Sequence, residues 1–456
     1  MVEVKKMSNG IKVVLEELSY VRTVSFGVWV HVGSANETKE NNGIAHMIEH
    51  MLFKGTTTKS AKKIADLTSG IGDDVNAFTG KEITSFYGTT VTKHLPVLVD
   101  LIGDMLQNSR FDEADIRKEK SVICDEIDMY EDSPEDLVHE VLQQKVWKDQ
   151  PIGYIISGTK SNVRSYTREQ LLAFMEEHYV ADNMTISLAG CFETEAVMKQ
   201  LEEVFGGIKK RVVPAKEKAN DTANRIKSMF GKQLALDPYS PRYSYKKEDR
   251  VVYHKTFCTR HKEIEQLHVN IGFPSIAIGD KDRYVFSVFN SILGGSNNSR
   301  LFQIIREELG LVYSIYSYGS AYEKAGLFQI DITVNSAQAK LVFEKTFEVL
   351  QDFLKEGVKE EELATYKEQV KTELIMGGES VKSKMNANAK SVMSEERVTP
   401  LDEVLEKVEA VTCENVMEFA RKTLDIRNCS VCVVGPKDSE AFAKIKRAWT
   451  HKVQEA

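Results

Sequence analysis

Proline is scarce in this chain, 9 residues in 456, and glycine is ordinary at 27. Together they argue against disorder and low-complexity architectures. No apolar run approaches the roughly 18 residues that a membrane-crossing helix needs. The opening "MVEVKKMSNGIKVVLEE" holds neither an apolar core of signal-peptide length nor an Arg/Ser-rich transit pattern. Positive charge is not in excess: 60 Lys and Arg against 68 Asp and Glu give a net charge of -8. That balance offers no electrostatic basis for nucleic acid or an anionic membrane as partner. Six cysteines are scattered along the chain, and only Cys429 and Cys432 are close, in "CSVCVVGP". With no second Cys/His pair nearby they read as strand core rather than a metal site. These absences point to a reducing, cytoplasmic setting.

What is present is a globular composition, 42% hydrophobic and 28% charged, in a chain too long for one ordinary core. Periodicity predicts strands over "IKVVLEE" and "TVSFGVWVHVGS", then helices over 43–54 and 59–70. Strands follow within "DDVNAFTGKEITSFYGTTV", then helices from Leu95 to Gln107 and from Asp112 to Tyr130. Thr167-x-x-Gln170 is a capping box that opens another helix.

The same order then recurs. "EQLHVNIGFPS" echoes "TVSFGVWVHVGS", and "DRYVFSVFNSILGG" stands where 43–54 stood. Setting Glu126 over Glu373, an offset of 247, also brings Lys120 to Lys367 and Ile123 to Val370. Repetition on this scale predicts an α+β protein of two similar domains, each an antiparallel-rich sheet with helices packed on it. The expected domains are 1–207 and 251–456. Residues 208–250, Lys-rich and broken by Pro214, Pro238 and Pro241, read as a linker or insertion.

The chemistry concentrates in "NNGIAHMIEHMLFKGT", where His46, Glu49 and His50 interrupt an apolar run. Positions i, i+3 and i+4 share one helix face, so the three side chains project together. Two imidazoles one turn apart can hold one zinc ion, and the glutamate between them can take a proton from water at an open position. This is H-x-x-E-H, the inverzincin pattern. A catalytic zinc needs a third protein ligand. The acidic helix "DEADIRKEKSVICDEIDMYEDSPED" offers Glu119 and Glu126, two turns apart on one face with Ile123 between them.

These segments resemble the pitrilysin-type metallopeptidases, in particular their dimeric, processing-peptidase-like branch. In that family H-x-x-E-H is followed after about 75 residues by a glutamate ligand, and 75 residues separate His50 from Glu126. "GIAHMIEHMLFKGT" and "EKSVICDEI" resemble the family's two metal segments. The likeness extends to "PIGYIISGTKSNVRSYTREQLLAFMEEHY" and "GGSNNSRLFQIIREELGLVYSIYSY". The resemblance implies a zinc-dependent endopeptidase with one zinc ion per chain, held by His46, His50 and Glu126. Glu49 is then the general base, and Glu119 a supporting carboxylate that orients a histidine.

It also implies that peptide adds as a strand along Asn76, Ala77 and Phe78. Arg306 and Tyr313, seven apart, would grip the substrate backbone and stabilise a carbonyl oxygen. Arg300 lies upstream, but only Arg306 has the family's distance to Tyr313. In the dimeric branch this pair reaches the metal from the partner subunit, so a homodimer acting on extended peptides or unfolded segments is expected. Two other readings share the resemblance: a catalytically silent scaffold or partner subunit, and one active subunit of a heterodimeric processing peptidase. The first typically lacks one or more of the metal-site residues, all of which are present here.

Overall fold

The computed structural model describes residues 2–72, 74–211, 251–436 and 439–455. They divide into two compact units, each assembled from three stretches of chain. The first unit contains residues up to Ile123, from Ile156 to Arg211, and from Ser380 to Val398. The second contains Cys124 to Ile155, Val251 to Glu379, and Thr399 onward.

The first unit carries β1 (Val2–Lys6), β2 (Lys12–Glu17), β3 (Thr23–Val30), β4 (Val75–Thr79), β5 (Thr84–Val91) and β6 (Met184–Gly190). They form one sheet in the order β1-β2-β6-β3-β5-β4, antiparallel except where β2 pairs with β6. β1 was not anticipated. "VEVKK" is short and mostly exposed, so it lacks the buried alternation that marks a strand in sequence. Helices α1 (Ile44–Leu52), α2 (Ala61–Gly70) and α3 (Leu95–Asn108) follow the predicted positions closely. α4 (Glu113–Asp132) is one continuous helix, within which the division between units falls after Ile123. α5 (Pro134–Val146) belongs to the second unit, whereas α6 (Lys160–Ser165), α7 (Arg168–His178) and α8 (Thr194–Phe205) belong to the first. The capping box at α7 is formed: Thr167 Oγ1 accepts from Gln170 N, and Gln170 Oε1 accepts from Thr167 N at 2.8 Å.

The second unit has β7 (Phe257–His261), β8 (Gln266–Ser275), β9 (Ser314–Ala321), β10 (Gly326–Asn335) and β11 (Ser430–Gly435). Their order is β7-β11-β8-β10-β9, with only β7 and β11 parallel. Leaving out β1, this is the first sheet's order with each strand replaced by its counterpart. The repeat read from the sequence is therefore a repeat of topology. Helices α9 (Arg283–Leu293), α10 (Ala339–Glu356), α11 (Glu360–Gly377), α13 (Leu401–Glu409), α14 (Cys413–Thr423) and α15 (Ser439–Glu455) belong to this unit, and α12 (Val381–Glu395) to the first. Its core centres on Phe289, whose ring lies 5.2 Å from Phe328, 5.3 Å from Phe419 and 5.8 Å from Phe353. Cys429 and Cys432 are fully buried at β11, unpaired, as strand core.

The observed division differs from contiguous domains at 1–207 and 251–456. α5 and α12 are counterparts, since Pro134 and Val381 are 247 apart, as are Glu113 and Glu360 at the starts of α4 and α11. Yet α5 packs on β8 and β11, and α12 packs on β2, β3 and β6. Met385 and Ala389 of α12 close over Trp29 and Ala189, while Glu16 accepts from Lys384 Nζ and Asn388 Nδ2. A hydrophobic stripe says that a helix will cover a sheet, but not which sheet. Of the 208–250 connector, residues from 212 on lie outside the described residues. Among the described residues no helix is long and apolar enough to cross a membrane.

Candidate metal centre

α1 is the helix that carries H-x-x-E-H. Ile44, Ala45, Met47, Ile48, Met51 and Leu52 are buried, which anchors one side and turns Glu49 and His50 towards partial exposure. His46 is buried, and its ring centroid lies 4.7 Å from that of His50. Glu119 and Glu126 project from α4 two turns apart, with Ile123 fully buried between them.

The structure brings the expected ligands together. Donor atoms from His46, His50 and Glu126, one each, all lie within 4.8 Å of one another. Two imidazole nitrogens and one carboxylate oxygen make a donor set that zinc accepts at about 2.0–2.2 Å, with a fourth tetrahedral position left open. Glu119 does not join that set. It is buried, with Oε2 3.2 Å from His50 Nδ1 and Oε1 2.7 Å from Lys54 Nζ. Burial opposes ionisation of Glu119, but the hydrogen bonds from His50 and Lys54 and the Lys54 charge outweigh it and hold its carboxyl below the usual range. An ionised Glu119 only accepts, so His50 Nδ1 carries the proton and Nε2 keeps its lone pair for a metal.

Glu49 is met by a residue the motif did not reveal: Thr79, at the end of β4, donates from Oγ1 to Glu49 Oε2 at 2.5 Å. β4 is the last strand of its sheet, paired with β5 alone among the described residues. Asn76 and Phe78 are exposed and Ala77 is half-buried along it. The Ala77 N–H is occupied locally by Asn76 Oδ1 at 2.8 Å.

In the second unit, Arg306 and Tyr313 are adjacent. Arg306 Nε donates to the Tyr313 carbonyl at 3.2 Å, and Tyr313 is 74% exposed. Arg300 is committed elsewhere. Its guanidinium makes a bidentate pair with Glu362 at 2.7–2.8 Å, donates to Gly357 O and lies over the Phe353 ring. The helix equivalent to α1 is α9, "RYVFSVFNSIL", which holds no His, Cys, Asp or Glu.

Two further groups escaped the sequence reading. Glu37 is buried against the start of α1, and nothing in "ETKENN" separates it from solvated neighbours. In the second unit, His139 of α5 pairs through Nε2 with Asp331 Oδ2 at 2.5 Å, while Tyr318 meets its Nδ1. Their partners are far apart in sequence, so no local pattern joins them.

A histidine-rich helix, a carboxylate helix completing three donors, and one sheet topology used twice define a two-domain metallopeptidase fold. The chain belongs to peptidase family M16. Residues 12–160 match the family described as Insulinase (Peptidase family M16), and residues 165–370 match the Peptidase M16 inactive domain. It is 37% identical over 414 residues to a Bacillus subtilis protein named "Uncharacterized zinc protease YmxG", covering 91% of this chain and 93% of that one. It is 32% identical over 438 residues to the Streptomyces coelicolor "Uncharacterized zinc protease SCO5738", covering 95% and 90%. In fold it matches a protease from Helicobacter pylori with a TM-score of 0.81 at 18% identity, over 96% of this chain and 99% of the other.

Proposed function

We propose that this protein is a zinc-dependent endopeptidase that cleaves extended peptides or unfolded segments. The observation that carries the reading is the meeting of His46, His50 and Glu126 donors within 4.8 Å, with Glu49 on the same helix as both histidines. Zinc held there would supply Lewis-acid polarisation of the scissile carbonyl and a lowered pKa for water. Glu49, steadied through one oxygen by Thr79, accepts the proton of the attacking water and returns it to the leaving amine nitrogen. Glu119 keeps His50 in the tautomer that can ligate.

The exposed edge of β4 around Asn76, Ala77 and Phe78 suits addition of a peptide strand, which would displace the Asn76 cap from the Ala77 N–H. Arg306 and Tyr313, exposed side by side, offer a guanidinium and a phenol to the carbonyl oxygen of the substrate. Supply of that pair by a second copy makes the active form a homodimer. Six unpaired cysteines suit a reducing, cytoplasmic setting.

The test is zinc content and cleavage of an unstructured peptide library by wild type and Glu49→Gln. One zinc per chain in both, with turnover only in wild type, supports the reading. Equal cleavage by both removes Glu49 from the mechanism. Zinc in both with cleavage by neither points to a silent scaffold, unless cleavage appears when a second, different chain is added. Ultracentrifugation of the zinc-loaded protein tests the homodimer, which a monomer active at full rate would overturn.

A further inference from the structure

We infer that Glu37 is a positioning residue for the metal site: its buried carboxylate sets the start of α1 and thereby the place of His46. α1 begins at Ile44 behind Gly43, whose φ of 101° gives a left-handed N-cap with no side chain to cap the helix. The first N–H groups of a helix have no partner within it. Glu37 supplies one from outside the helix. Oε1 accepts from Ala45 N at 2.9 Å, and Oε2 accepts from Gly43 N at 2.7 Å and Asn42 Nδ2 at 2.8 Å. His46 is the next residue after Ala45, so the carboxylate grips the backbone one peptide away from a proposed ligand.

The surrounding loop has little slack. The Asn42 carbonyl accepts from Tyr166 OH at 2.6 Å and from Asn162 Nδ2 at 3.2 Å. A Cβ added to Gly43 would fall 2.6 Å from Ser157 O, and one added to Gly158 would fall 2.2 Å from Asn42 O. A neutral amide could not replace the carboxylate, because its NH2 would face donors already pointing inward. The arrangement is costly: burial pushes the Glu37 carboxyl up to about 7, although all three hydrogen bonds and Lys81 favour its ionised form. Glu37 touches neither the proposed ligands nor Glu49 in any of these contacts. Its effect on chemistry must pass through the backbone it holds.

The inference rests on the zinc reading of the site, and its experiment separates the two. Zinc dissociation constants would be measured by chelator competition for wild type, Glu37→Gln, Glu37→Asp and, as a control for general destabilisation, Val416→Ala, at a residue of α14 fully buried in the core of the second unit. Cobalt(II) absorption spectra would report ligand geometry, and kcat and KM would be measured alongside. A positioning role raises the zinc dissociation constant of Glu37→Gln about 10- to 100-fold, the range seen when groups that orient ligands are lost. It also alters the cobalt bands and lowers kcat more than it raises KM. Val416→Ala should bind zinc as wild type does, and Glu37→Asp, too short to reach all three donors, should behave like Glu37→Gln. Parental zinc affinity and cobalt spectrum in whichever Glu37 variants fold would overturn the inference while leaving the peptidase reading intact. A wild type that binds zinc but cleaves nothing, alone or with a second, different chain, would sink the peptidase reading and leave the Glu37 comparison standing. A wild type that binds no zinc would sink both.

Discussion

His50 and Glu119 are 69 residues apart in sequence and 3.2 Å apart in space, joined through Nδ1 and Oε2. That contact decides which imidazole nitrogen faces a metal. Replacing Glu119 by Gln should leave the chain folded but loosen His50, raising the zinc dissociation constant about 10- to 100-fold. Competition with a chelator of known affinity checks it, and an unchanged constant would remove Glu119 from the site.

Thr79 holds one oxygen of Glu49 at 2.5 Å. Thr79→Val keeps the shape of the side chain and removes the donor. A hydrogen bond to a charged group is worth about 1.5–3 kcal/mol, so kcat should fall about 10-fold or more. Zinc content and KM should change little. Steady-state kinetics with metal analysis of the same sample separates this from loss of zinc.

Glu37 carries a pH signature of its own. Burial raises it from 4.5 to about 7, so the folded chain holds that proton more tightly than the unfolded chain does. Its contribution to stability is fully present below about pH 4.5 and is lost as the pH rises through about 7, by about 3 kcal/mol in total. Between about pH 5 and about pH 8 the stability of Glu37→Gln relative to wild type should therefore shift in favour of the variant by nearly that amount. Urea unfolding of zinc-free protein across this range measures it; a constant difference would contradict the assignment.

In the second unit, Asp331 is buried and faces His139 across 2.5 Å. His139→Ala removes the nearest partner of the carboxylate and leaves Asn270 Nδ2, 3.3 Å from Oδ1, to hold it. Breaking a buried pair from one side costs about 3–5 kcal/mol, lessened here because His139 is partly exposed. Chemical denaturation should show a loss of about 2 kcal/mol or more, and His139→Ala with Asp331→Asn together should lose less than the sum of the two.

Local chemistry was legible in the sequence. H-x-x-E-H declared its helix and shared face because helical spacing is set by the backbone alone, and the Thr167 capping box was readable for the same reason. Likeness to a family with a 75-residue spacing singled out Glu126 over Glu119, which the bare sequence left open. The offset of 247 announced two similar halves, and the two sheets repeat one strand order.

Tertiary structure decided the rest. The interchange of α5 and α12 between units, the bond from Thr79 to Glu49, the pairing of His139 with Asp331 and the grip of Glu37 on α1 all join separate segments or hang on the path of a loop. An amphipathic stripe or a lone carboxylate carries no address for its partner. Periodicity encodes which face is buried, but only the packed chain settles what buries it, and there the proposed ligands acquire the contacts that hold them in place.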